Sequence, residues 1–284
     1  MSSRLIVVDS PDDERLSQFR LREREMRPRH LPQRVIKGRR PEDLERIQSG
    51  MFVAEGDLVV ERSLDAGCIM VVALVDADAP TPLIERISSD VPIFAAAREA
   101  RRILTGLGVA LDIMAIFERP TLPSFESCIA MAKRAIVVED VDNPTNIGAI
   151  VRSATAFGVD ALILDRNSSD PLARRALRVS MGTALKLPTC RVDDVIGTLR
   201  EMRESGFVIC ALTPSETADD IRAVETSIRS CDKVAILMGS ERTGLSTEAL
   251  SLSTHLIRIP MADGVDSLNV ASAAAVAAYA LLAR

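Results

Sequence analysis

From residue 133 onward, short apolar runs return in a strict rhythm: "AIVVED", "ALILD", "FVICALT", "VAILMGS" and "HLIRIP". Each is rich in β-branched residues and shows little alternation, the pattern of strands buried on both faces. Helical stretches such as "VDDVIGTLREMRESG" separate most of them, and apolar strands alternating with helices predict a parallel sheet. Residues 51–122 carry a shorter mixture. "FVAEGDLVVERSLDAG" reads as a strand end followed by an amphipathic helix closed by Gly67, and "IMVVALVD", "VPIFAA" and "ALDIMAIFE" read as strands. The pattern predicts an α/β protein in three parts. Residues 1–122 form a basic amino-terminal segment and a small α/β domain, 123–132 a linker in the proline-containing "ERPTLPSFES", and 133–284 a larger domain with a parallel sheet.

Composition narrows the function classes. A chain of 284 residues, 47% of them hydrophobic, is long enough for two cores. The net charge of −5 does not announce a nucleic-acid binder, but positive charge is unevenly placed. Residues 14–40 hold ten Lys/Arg against three acids. Arg20, Arg22, Arg24, Arg27, Arg29, Arg34, Lys37, Arg39 and Arg40 are the candidate phosphate contacts; the competing reading is a solvated helix face followed by a loop.

Five scattered cysteines without a C-x-x-C pair suit reduced thiols in a cytoplasmic protein. The first apolar run is too short for a signal peptide, and residues 270–283 fall short of the ~20 apolar residues of a membrane span. No membrane association is expected. With only His30 and His255, a multi-histidine metal site is excluded and no metal is expected. Without Trp, and with Tyr279 as the only tyrosine, no aromatic platform for stacked bases is expected.

In open α/β sheets, ligands gather beyond the carboxyl ends of the strands. Three predicted strand ends run into unusual loops: "VDNPTNIGAIVRSATAFGV", "SERTGLS" and "MADGVDSLNV". Each combines Gly with Asn, Ser or Glu and then opens a helix, so backbone amides can approach a ligand closely. None has the glycine spacing of a phosphate loop or of a dinucleotide fingerprint, which argues against a nucleotide triphosphatase and a Rossmann dehydrogenase. In the first loop, Ile147, Ile150, Val151 and Ala154 form a buried helical stripe and Arg152 falls on the polar side. Ser246 is placed to cap a helix and Gly244 to turn the chain, while Glu241 is placed either for chemistry or to hold amides of its own loop.

"NPTNIGAIVRSATAFGV", "ILMGSERTGLS" and "IPMADGVDSLNVASAAA", in this order, closely resemble the three motifs of the SpoU (TrmH-like) branch of the SPOUT RNA methyltransferases. "LRVSMGTALKLP" between the first two also resembles the family, and "FVAEGDLVVERSLDAG" is similar to the small α/β RNA-recognition domain of its ribosomal-RNA members.

The resemblance implies a carboxyl-terminal SPOUT domain with a deep trefoil knot, a homodimer, and S-adenosylmethionine as the methyl donor. It implies methylation of a ribose 2′-hydroxyl in structured RNA, with ribosomal RNA favoured by the large front domain. A transfer-RNA 2′-O-methyltransferase and a non-catalytic RNA-binding member are the alternatives. Matched position by position, Arg152, Asn146, Ser267, Asn269 and Glu241 take the catalytic places. Leu212, Gly239, Gly244, Ile259, Met261, Ser267 and Leu268 take those that hold the cofactor.

Overall fold

The computed structural model of the chain describes residues 4–27, 50–106 and 108–283. The chain divides into two compact units, one made of Met1–Thr121 with Leu172–Leu185, the other of Leu122–Pro171 with Lys186–Arg284. The first unit therefore includes a later excursion of the chain that the sequence assigned to the second.

The first unit is built on a five-stranded mixed sheet. Its strands are β1 (Leu5–Val8), β2 (Met51–Glu55), β3 (Met70–Asp76), β4 (Ile93–Ala96) and β5 (Ile113–Glu118), in the order β1-β4-β3-β5-β2. β1 and β3 run parallel to β4, and β5 runs antiparallel to β2 and β3. β1 was not expected. Four residues, two of them facing solvent, are too short a run to show a period. Leu16, Phe19 and Met26 follow it into the core beside Leu74, Phe94 and Ile116, so the start of the chain is part of the fold as well as a carrier of charge.

Helix Asp57–Asp65 follows β2 through Gly56, as the pattern predicted. The excursion carries helix Arg174–Val179, whose Arg174 and Arg178 both donate to the buried carboxylate of Glu55, Arg178 at 2.8 Å. A buried carboxylate held by two guanidinium groups is costly to break, because removing the partners strands a charge away from water.

The second unit has a seven-stranded sheet with all neighbours parallel. Its strands are β6 (Arg134–Val138), β7 (Ala161–Asp165), β8 (Thr189–Val192), β9 (Phe207–Leu212), β10 (Asp219–Asp220), β11 (Lys233–Met238) and β12 (His255–Arg258), ordered β10-β12-β9-β11-β6-β7-β8. The five predicted strands are all present. β8 and the two-residue β10 were missed, being short and polar at the sheet edges.

The predicted linker contains helix Phe125–Ala130, capped by Ser124 and packed into the core of the second unit through Cys128 and Ile129. Prolines before it masked a short capped helix. β6 and β11 are neighbours although their connections leave in different directions along the sheet, which is a topological switch point. The loops after β6, β9, β11 and β12 supply the site.

Helix Pro144–Ala156 starts at the Asn143 cap and buries Ile147, Ile150, Val151 and Ala154, the predicted stripe. The tail helix Val270–Ala277 packs on it and buries Ala271, Ala274 and Ala277, while Gly148 is buried on the first helix. Small side chains permit that close approach.

Candidate active site

The centre of the site is a set of side chains brought together from all three loops. Asn146, buried in the first turn of helix Pro144–Ala156, donates its amide to Glu241 Oε2 at 2.9 Å. Asn269 donates to Asn146 Oδ1 at 3.0 Å and to Glu241 Oε1 at 2.5 Å. The backbone N–H of Val270 adds a long bond to the same Glu241 oxygen at 3.4 Å.

The amide orientations follow from the network. Asn269 Oδ1 accepts from the N–H groups of Ala271 and Ser272 as the cap of the tail helix, so only its Nδ2 is left to donate inward. Glu241 thus serves the side chains of the other two loops, where the sequence had left open that it held its own.

Glu241 also lines a cavity of about 540 Å³. Leu212, Gly239, Gly244, Ile259, Met261, Ser267 and Leu268, the predicted cofactor positions, all line it. Thr213, Ile257 and Arg242 line it as well and were not anticipated; Asp266, within the "MADGVDSLNV" loop expected to face the ligand, lines it too. Ile257 was read only as part of a strand, and Arg242 only as a neighbour of motif residues.

Two glycines are required by shape. A Cβ on Gly239 would lie 2.3 Å from the carbonyl oxygen of Gly244 and 2.6 Å from the nitrogen of Leu245. No side chain fits there without moving backbone. Gly244 has φ +68°, which glycine adopts freely, and its N–H closes the loop onto the Ser240 carbonyl at 2.9 Å.

The structure separates the predicted catalytic residues. Asn146, Glu241 and Asn269 form one network; Ser267 lines the cavity without bonding to them. Arg152 lies outside the network, exposed on the helix that carries Asn146. Six residues place it about 9 Å further along the helix axis, on a different face. Among the described residues it has no hydrogen bond or ion pair, so its guanidinium is free to meet a ligand from solvent.

Among the described residues of the basic stretch, three arginines are paired with acids. Arg15 pairs with Asp13 at 2.6 Å, Arg20 with Asp12 at 3.4 Å and Arg27 with Glu23 at 3.3 Å. Asp12 and Asp13 sit just before the counted window. Arg15 bonding holds the Asp13 carboxyl down at about 2. Arg29, Arg34, Lys37, Arg39, Arg40 and the Arg24 side chain lie outside the described residues. Among the described residues, no cluster of His, Cys, Asp and Glu has metal-binding geometry, and no helix is long and apolar enough to cross a membrane.

The β6, β11 and β12 loops of the parallel sheet thus converge through Asn146, Glu241 and Asn269. The chain belongs to the SpoU rRNA methylase family, whose model matches residues 133–279.

An uncharacterized tRNA/rRNA methyltransferase of Mycobacterium bovis is 35% identical over 275 residues, 96% of this chain and 90% of the relative. The 23S rRNA (guanosine-2′-O-)-methyltransferase RlmB of Vibrio vulnificus is 33% identical over 144 residues, 51% of this chain and 56% of that one. The fold is shared with the crystal structure of an AdoMet-bound rRNA methyltransferase from Sinorhizobium meliloti, at TM-score 0.77 and 21% identity. That match covers 98% of this chain and 97% of the other.

Proposed function

We propose that this protein uses S-adenosylmethionine to methylate a ribose 2′-hydroxyl of structured RNA, with ribosomal RNA as the substrate. The observation that carries the reading is the Asn146–Glu241–Asn269 network, joined through Glu241 to a cavity lined by every predicted cofactor position. The lining suits that cofactor: Leu212, Ile257, Ile259 and Leu268 offer apolar surface to a purine, Glu241 and Asp266 offer charge to its cationic groups, and Arg242 can meet its carboxylate. Bound there, it supplies a methyl group on a sulfonium.

The residues of the chain then orient the acceptor. Asn146 and Asn269 hold Glu241 in place, and the network fixes the three loops relative to one another. The guanidinium of Arg152 presents five N–H donors and no acceptor, so it is not the group that takes the proton. Its role is to bind the phosphate beside the target ribose and to offset charge developing on the 2′-oxygen. The hydroxyl proton passes to that phosphate or to water.

The reading extends to a knotted carboxyl-terminal domain and to a homodimer formed through the tail helix, where Val276 and Tyr279 are exposed. Five free thiols fit a cytoplasmic location. Titration calorimetry with S-adenosylmethionine or its demethylated product is expected to show micromolar binding, and absence of heat would overturn the assignment. Mapping 2′-O-methyl positions in RNA from cells with and without the gene identifies the substrate. A missing methyl on transfer RNA would transfer the reading to that class.

A further inference from the structure

Resting on the cofactor reading above, one wall of the cavity raises a separate question. Residues 239–245 include the half-buried Ser240 and the exposed polar stretch Glu241–Thr243. The loop closes on itself through Gly244 N–H to the Ser240 carbonyl and Thr243 N–H to Ser240 Oγ at 3.2 Å, so bonds from outside are what fix how the closed loop sits on the sheet.

Glu139, the residue after β6, ties both of its ends. Its backbone N–H donates at 2.9 Å to the carbonyl of Met238, the last residue before the loop. Its carboxylate accepts from the Ser246 N–H at 2.9 Å and from the Ser246 hydroxyl at 2.8 Å, through separate oxygens. Ser246 is the first residue after the loop, and its hydroxyl oxygen in turn caps helix Thr247–Leu252 by accepting from the Ala249 N–H at 3.3 Å.

In this geometry the two Ser246 donors reach two different acceptor oxygens of one side chain. A carboxylate has them; an amide has one. Glu139 does not line the 540 Å³ cavity. It lines a second one of about 340 Å³, and the two cavities have Thr243, Gly244 and Leu245 in common, so this segment partitions them.

We infer that Glu139 is a positioning residue for the cofactor: its carboxylate staples the loop 239–246 into the shape that makes the cavity wall, without touching the cofactor itself. Losing two bonds to a charged acceptor weakens what depends on that shape by about tenfold or more.

The test compares full-length protein with Glu139→Ala and Glu139→Gln. Hydrogen–deuterium exchange without ligand is expected to quicken at amides 240–246 in the alanine variant, less in the glutamine variant, with β6 and β11 amides unchanged. The dissociation constant of S-adenosylhomocysteine is expected to rise about tenfold in Glu139→Ala and less in Glu139→Gln, and KM for the cofactor to rise while KM for RNA stays. Unchanged exchange, or faster exchange with an unchanged dissociation constant, overturns the inference. If the alanine variant does not fold, the glutamine variant decides by the same two measurements. If the parent itself binds no S-adenosylhomocysteine, the cofactor reading fails instead, and loop exchange still reports on whether Glu139 holds the wall.

Discussion

The side-chain amide of Asn269 donates to Asn146 Oδ1 at 3.0 Å across 123 positions of sequence, joining the loop after β12 to the loop after β6. Glu241 accepts from both, so three segments meet at one carboxylate. In such a network each bond depends on the others, and single substitutions do not act independently.

Alanine at Asn146 and at Asn269, singly and together, should therefore show non-additive losses of stability. A coupling of about 0.5–3 kcal/mol is expected from a double-mutant cycle in urea. Asn269→Ala carries an extra cost of about 1 kcal/mol for the lost cap of the tail helix. Additive losses would mean that the two amides act separately.

Gly239→Ala should abolish cofactor binding, because its methyl group would collide with the backbone of Gly244 and Leu245. Calorimetry on the variant is expected to show no heat at concentrations that saturate the parent. The clash is with backbone, so it cannot be relieved by rotating a side chain.

Arg152→Ala should leave the melting temperature and cofactor affinity at parental values, since the residue is exposed and unpartnered among the described residues. Methylation is expected to fall by about two to three orders of magnitude, the usual cost of removing a group that stabilises a developing oxyanion. Near-normal turnover would place the function of this arginine elsewhere.

Ala274→Phe inserts a ring where a 1% exposed methyl meets helix Pro144–Ala156. Overpacking of this kind costs about 1–3 kcal/mol. Because Asn269 caps the same helix, the displacement should also weaken cofactor binding, read by calorimetry beside a thermal melt.

The Asp220 carboxyl, hydrogen-bonded by the side chain and backbone of Arg222, is held down at about 2. Its folded value lies below the ordinary value of about 4, so its stabilising contribution is complete above that pH and disappears as pH falls toward 2. The difference in melting temperature between parent and Asp220→Ala is expected to be largest near neutrality and to shrink in acid. A difference independent of pH would assign the effect to helix capping alone.

The five strands from "AIVVED" to "HLIRIP" and the stripe Ile147–Ile150–Val151–Ala154 were legible in the chain because buried strands and helix faces impose local periods, whereas the cavity-lining positions came from the family resemblance, and glycine at 239 and 244 answers to a backbone clash and a positive φ. Leu16 and Phe19 entering the first core, the pairing of Asp12 and Asp13 with nearby arginines, and the return of residues 172–185 to the first unit were not legible. The core contacts and the return depend on which distant segments fold together, and the acid pairs on side-chain placement within a few residues; no hydrophobic period records either. The same holds for the site. The family resemblance pointed to Asn146, Glu241 and Asn269 as candidates beside Arg152; only the parallel order β12-β9-β11-β6 brought the three together, left Arg152 facing solvent, and set Glu139 as the brace behind them.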